Sequence, residues 1–238
     1  MCMYGTNYIH FQDGTVMKKA SEVTYLGGSL TKDVQPKVEI QNRIGMAMQA
    51  VRSLEGLWKH TSCSVKWKVN VYNAVVVSKL LYGLETVQMP PSVMKDLDVF
   101  QMRGFRKILG IQPTYMDRSN SNEEVFRKLR EDHNLPYILP LTVLLQKRRV
   151  TLLGHIIRAG NRNSNDPAFQ ATFDSNALQP KHSIMRRQGR PRKKWIDITL
   201  QEAWNFMKEE NPLLLQFDGN GEQRLKPSSF RDLISSIP

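Results

Sequence analysis

The chain has 238 residues, 40% of them hydrophobic, enough for one sizeable core or two small ones, which excludes a protein disordered throughout. Its 34 Lys and Arg against 22 Asp and Glu leave a net charge of +12. No apolar run approaches the roughly 20 residues of a membrane span, and no signal-peptide pattern opens the chain at Met1-Cys2-Met3-Tyr4-Gly5.

Cys2 and Cys63 stand alone, without a CxxC pair or a Cys/His cluster, so neither a disulfide framework nor a structural zinc is expected. A reducing compartment, nucleus or cytoplasm, is the matching expectation for localisation. The charge is local, concentrated in residues 101–160 and 181–194, and a localised basic surface points to nucleic acid. An anionic membrane surface is the competing partner by charge alone.

The first 30 residues read as β. Tyr8 to Met17, with Asp13-Gly14 at a turn, has the pattern of a hairpin, and Glu22-Val23-Thr24-Tyr25-Leu26 that of a further short strand ending at Gly27-Gly28. From Val34 to Trp58 the period turns helical, with Val38, Ile44, Ala47, Val51, Leu54 and Trp58 on one face. Ser64 can cap the next helix, which carries Val65, Val69, Tyr72, Val76 and Leu80 and nears its end at Gly83. A third follows Pro90-Pro91 and runs from Ser92 through Leu97, Phe100 and Phe105 to Gly110.

Ser121-Asn122-Glu123-Glu124 fits a capping box, and Pro140 starts a helix running through Leu144, Val150 and Leu153 to Ile157. Residues 160–185 are rich in Asn, Ser, Asp and Pro without sustained period and read as a linker. The last helical pattern starts at Trp195 and includes Leu200, Ala203 and Trp204. The expected fold is therefore mainly α: a helical bundle with a small N-terminal antiparallel β element. Its expected regions are a β element over 1–30, a helical region over 31–160, a linker and basic tract over 161–194, and a short helical region over 195–238.

The tract from Lys181 to Lys194 holds seven cations and no acid: Lys181, Arg186, Arg187, Arg190, Arg192, Lys193 and Lys194. Burying so many unpaired cations costs their hydration, so the tract is either a solvated linker or partnered by anions. Its Gly189-Arg190-Pro191 core also resembles an AT-hook, an extended segment whose arginines enter the minor groove of A/T-rich DNA. Further cations fall within helices: Arg103, Arg106 and Lys107 in one, Lys147, Arg148, Arg149 and Arg158 in another. Spacings of three or four place some of them on common faces, which either track a phosphate backbone or face solvent.

Catalytic chemistry is not legible. No adjacent acidic pair lies on a strand, as a two-metal phosphoryl-transfer site requires, and Glu123-Glu124 and Glu209-Glu210 sit in helix contexts that favour solvated roles. The five His lack metal-site spacing, His155 reads as a hydrogen-bonded helix residue, and no glycine-rich phosphate loop is present. We therefore expect no catalytic residue, no metal and no cofactor.

Nine segments, taken in order, carry a resemblance. They are Thr24-Tyr25-Leu26-Gly27-Gly28, Glu39 to Ile44, Tyr72-Asn73-Ala74, Leu80 to Thr86, Phe100 to Arg103, Arg106 to Ile111, Ser121 to Val125, Arg148-Arg149 with Leu153-Gly154-His155, and Gly189 to Trp195. Together they resemble the C-terminal part of the reverse transcriptase of non-LTR (LINE-type) retrotransposons, over roughly residues 20–200. The resemblance implies a thumb over the helices from about 34 to 110, embracing template and primer. It also implies a primer-grip neighbourhood at Tyr25, Leu26 and Gly27, with apolar surface there that would face a palm.

The family's palm aspartates should lie upstream of Tyr25, and the residues that precede it here lack that motif. The resemblance thus implies binding of RNA or DNA without catalysis by this chain alone, with an upstream palm-containing polypeptide as a further expected partner. Three other readings stay open: a stand-alone AT-hook-like DNA-binding protein, a piece of an active RNA-directed DNA polymerase whose palm is encoded upstream, and a helical protein-interaction scaffold.

Overall fold

A computed structural model describes residues 22–25, 28–31, 36–60, 62–174, 179–180, 195–210, 215–217 and 223–225. The body they form is mainly helical. Helix α1 spans Pro36–Ser53 and α2 Glu55–His60, with the break at Leu54, so the single long helix expected to Trp58 is two. Ser64 caps α3, Val65–Val71, by accepting from the Trp67 amide at 3.3 Å. One π-helical turn, Tyr72–Val77, then leads into α4, Ser78–Leu81. The segment stops at Gly83, whose φ of +71° is a left-handed conformation that costs a residue without Cβ little.

Helix α5, Pro91–Leu109, has Pro at its first position and Gly110 at its end with φ +68°, the expected asymmetry of a start and a stop. Ser121 caps α6, Asn122–Arg127, through the Glu124 amide, and a π-helical turn, Lys128–Asp132, follows. Helix α7, Leu141–Arg162, is the longest described. Its N-terminal amides are satisfied from a distance in sequence: Asp98 accepts from Thr142 N at 3.0 Å and Gln101 from Leu141 N at 3.1 Å. Inside the stretch expected to be a linker lies α8, Pro167–Thr172, whose first amides are capped by Asp166. Helix α9 spans Trp195–Glu210.

The core begins at Ile40. One hydrophobic cluster runs from there to Leu145 and is built by α1, the α3–α4 segment, α5, α6 and the first turns of α7. Phe105 lies at its centre, 5.6 Å from the Tyr72 ring and 6.3 Å from Phe126. Helices approach so closely there that a Cβ on Gly104 would meet the Tyr72 ring at 2.5–2.6 Å, which explains the glycine mid-helix. A second, smaller cluster joins Val150, Leu153 and Ile157 of α7 to Phe169, Phe173, Ile196 and Ala203.

The expected N-terminal β element is corrected. Among the described residues no strand or sheet enters the packed body at its N-terminal end, and none before Ile40 belongs to the core. The β pairing described there is an isolated ladder of β1, Glu22–Tyr25, with β2, Gly28–Thr31, joined to no third strand. A lone two-stranded ribbon is marginal in water without a third strand or a helix across its face, so it cannot organise a fold. The hairpin expected over Tyr8–Met17 lies outside the described residues, as does Leu26-Gly27 of the primer-grip neighbourhood. Tyr25 ends β1. Similar short pairings join β3, Phe173–Asp174, to β4, Gln179–Pro180, and β5, Leu215–Phe217, to β6, Gln223–Leu225.

Candidate nucleic-acid interface

A cation can contact a phosphate only if its charge is exposed and not already matched by the protein. By that test the expected helix cations divide. Arg106 on α5 donates to Thr114 Oγ1 at 2.9 Å, to the Asn120 carbonyl at 2.9 Å and to Asn122 Oδ1 at 2.8 Å. It ties the 110–121 loop to the start of α6, and burial pulls its pKa below the ordinary guanidinium value. Lys107 hydrogen-bonds Glu55 and joins α5 to α2; that contact and Lys59 at 2.9 Å hold the Glu55 carboxyl down at about 2.

Arg149 is more deeply committed. It is 3% exposed, donates to the Val87 carbonyl at 2.8 Å and pairs with Glu202 of α9 at 3.3 Å. Burial raises the Glu202 carboxyl above its usual range, against the opposing pull of Arg149. Arg158 lies 2.9 Å from His155 Nδ1, so that histidine sits in a hydrogen bond on α7. The remaining expected helix cations face outward: Arg103 and Lys147 are exposed and Arg148 half-buried, and their side chains meet no hydrogen-bond or ion-pair partner among the described residues. The structure does not link Arg103 to the pair on α7 by any hydrogen bond or ion pair.

The tract residues Arg186, Arg187, Arg190, Arg192, Lys193 and Lys194 lie outside the described residues, but their anchor does not. Trp195, bonded to Lys194, donates its indole N–H to the Glu85 carbonyl at 2.7 Å, just beyond the end of α4. Trp195, the first described residue after the tract, is thereby held just past the α3–α4 segment.

That segment carries a feature the reading of motifs passed over. Between Glu55 and Glu85 there is no acid and there are four lysines. Its exposed side chains include Lys66, Trp67, Asn70, Val75, Lys79 and Tyr82, with Trp67 46% and Tyr82 56% exposed. The π turn at Tyr72–Val77 interrupts the α-helical spacing within this set. The absence of acid was visible in the sequence; the π turn was not.

Other chemistry is limited to what the side chains present. Among the described residues no group of His, Cys, Asp and Glu could hold a metal ion, and no helix is long and apolar enough to cross a membrane. Cys63 is free and exposed. The loop between α5 and α6 presents Tyr115, 86% exposed, beside Met116. No protein family, curated protein or solved structure matches the chain.

Proposed function

We propose that this chain is a nucleic-acid-binding region of a non-LTR-type reverse transcriptase, helping to hold template and primer while catalysis belongs to a palm-containing polypeptide. Its partner is RNA or DNA in the nucleus or cytoplasm. The observation that carries the reading is the distribution of charge: seven cations without an acid at 181–194, followed in sequence by Trp195, which is held at the Glu85 carbonyl just past a stretch with no acid between Glu55 and Glu85. The ordered resemblance of nine segments supplies the class of polymerase.

Several segments of that resemblance coincide with packing features. Tyr72-Asn73-Ala74 opens the π turn, Gly83 ends the helix before it, and Ser121 caps α6. Residues that shape helix ends and close approaches support a likeness of architecture, while the cations supply the binding.

The test is the affinity of the full chain for a fluorescein-labelled RNA–DNA hybrid between about 50 and 200 mM salt. Counterion release predicts a fall of about a thousandfold or more if six or more phosphates are neutralised. Affinity independent of salt, or none at low salt, overturns the reading. Preference for an A/T-rich duplex over the hybrid, abolished by Arg190→Ala, favours the AT-hook reading instead.

A further inference from the structure

Tyr82 stands at the corner where α4 ends, and its two ring faces are treated differently. Against one lies the Arg43 guanidinium, 5.3 Å from the ring centroid. Arg43 is itself buried and held by Glu39 at 2.8 Å on the preceding turn of α1, so the cation beneath the ring is fixed. The ring nevertheless remains 56% exposed. Gly83, immediately after it, adopts φ +71° and turns the chain away, with Arg43 Nη2 4.0 Å from where its Cβ would be. An aromatic clamped on one side and open on the other is a preorganised platform, since little side-chain freedom is lost when something stacks on it.

We propose that Tyr82 is a base-stacking platform, taking an unpaired nucleotide of a bound nucleic-acid strand; the proposal rests on the nucleic-acid reading above and names a site within it. Three observations select a nucleic-acid strand as occupant. The α3–α4 segment that leads into Tyr82 exposes Lys66 and Lys79 and contains no acid, which suits a polyanion and disfavours a basic protein surface. Trp67, 46% exposed near the start of that segment, offers a second aromatic surface. Trp195, the residue that follows the basic tract in sequence, is held at the Glu85 carbonyl three residues past Tyr82. Stacking on an aromatic tolerates any base, because every base has a π face, so the site confers a preference for unpaired nucleotides and none for sequence.

The experiment uses the full chain and two labelled RNA–DNA hybrids, one blunt and one with a short single-stranded overhang, titrated against wild type, Tyr82→Ala, Tyr82→Trp and Tyr82→Leu. We expect wild type to favour the overhang. Tyr82→Ala should lose about fivefold to a hundredfold of overhang affinity, Tyr82→Leu nearly as much, and Tyr82→Trp little, all with the salt dependence of wild type. Far-ultraviolet circular dichroism checks the fold, and the Leu and Trp pair carries the test if the Ala variant does not fold. Salt-dependent binding that is indifferent to residue 82 would overturn the platform while leaving the nucleic-acid reading intact. Loss of salt dependence in wild type would overturn the functional reading itself.

Discussion

The two hydrophobic clusters meet within α7, yet they are held differently. Up to Leu145 the core is apolar and interlocked, with Trp58, Tyr72, Phe105 and Phe126 in successive edge or tilted contacts. From Val150 onward a smaller apolar set is joined to the first across buried charge: Arg149 sits at the boundary with Glu202 of α9. Several polar atoms there find no partner among the described residues, namely Arg149 Nε, Glu202 Oε2 and Glu85 Oε2. Burying an ion pair gains little over an apolar pair, but removing one partner strands the other. The first region should therefore open only with the whole body, while α9 should open alone and sooner.

Phe105→Ala should have the largest effect, a loss of about 3–5 kcal/mol, because the ring fills the centre of the first cluster and leaves a cavity among Tyr72 and Phe126. Urea unfolding should shift as one transition by all probes. A loss confined to one region would contradict the interlocked core.

Arg149→Ala sharpens the comparison from the other side. It should cost less, about 1–3 kcal/mol, by leaving the partly buried Glu202 uncompensated, and the loss should be felt locally. Hydrogen exchange should show α9 amides losing protection while those of α5 keep theirs. Replacing the pair together, Arg149→Met with Glu202→Leu, should restore most of the loss. If the double variant is as unstable as the single one, the ion pair is not what makes this junction weak.

A smaller effect belongs to Glu55, which links α2 to α5 through Lys107 in the first region. Its carboxyl is held down at about 2, so the ionised form is favoured in the fold. That contribution is complete above the ordinary carboxylate value near 4.5 and is lost as pH falls from there towards 2. Glu55→Gln should flatten the melting temperature over that acid window and leave its neutral-pH limb alone. An unchanged acid limb would remove the linkage.

Local chemistry was legible where it acts within a few residues. Ser64 and Ser121 as caps and Gly110 as a stop each follow from the backbone groups a helix end leaves unpaired, while the helix expected from Ser92 begins one residue earlier, at Pro91. What depended on distant partners was not. The amides at the start of α7 are capped by Asp98 and Gln101 from α5, and no spacing rule connects residues 40 apart. Arg106 and Arg149 had the same spacing signature as Arg103 and Lys147, because helical period tells which side chains share a face but not what faces them. Helix α8 escaped notice since six residues are too few to establish a period, although Asp166-Pro167 carried its start signal.

The described helix cations thus fall into a set that holds the fold, Arg106, Lys107 and Arg149, and a set with no hydrogen-bond or ion-pair partner among the described residues, Arg103, Lys147 and Arg148. The most direct test of that division is the salt slope of hybrid binding by the variant carrying Arg103→Ala, Lys147→Ala and Arg148→Ala. The account predicts an unchanged melting temperature and a slope reduced by about one for each phosphate contact removed. A slope equal to that of wild type would contradict it.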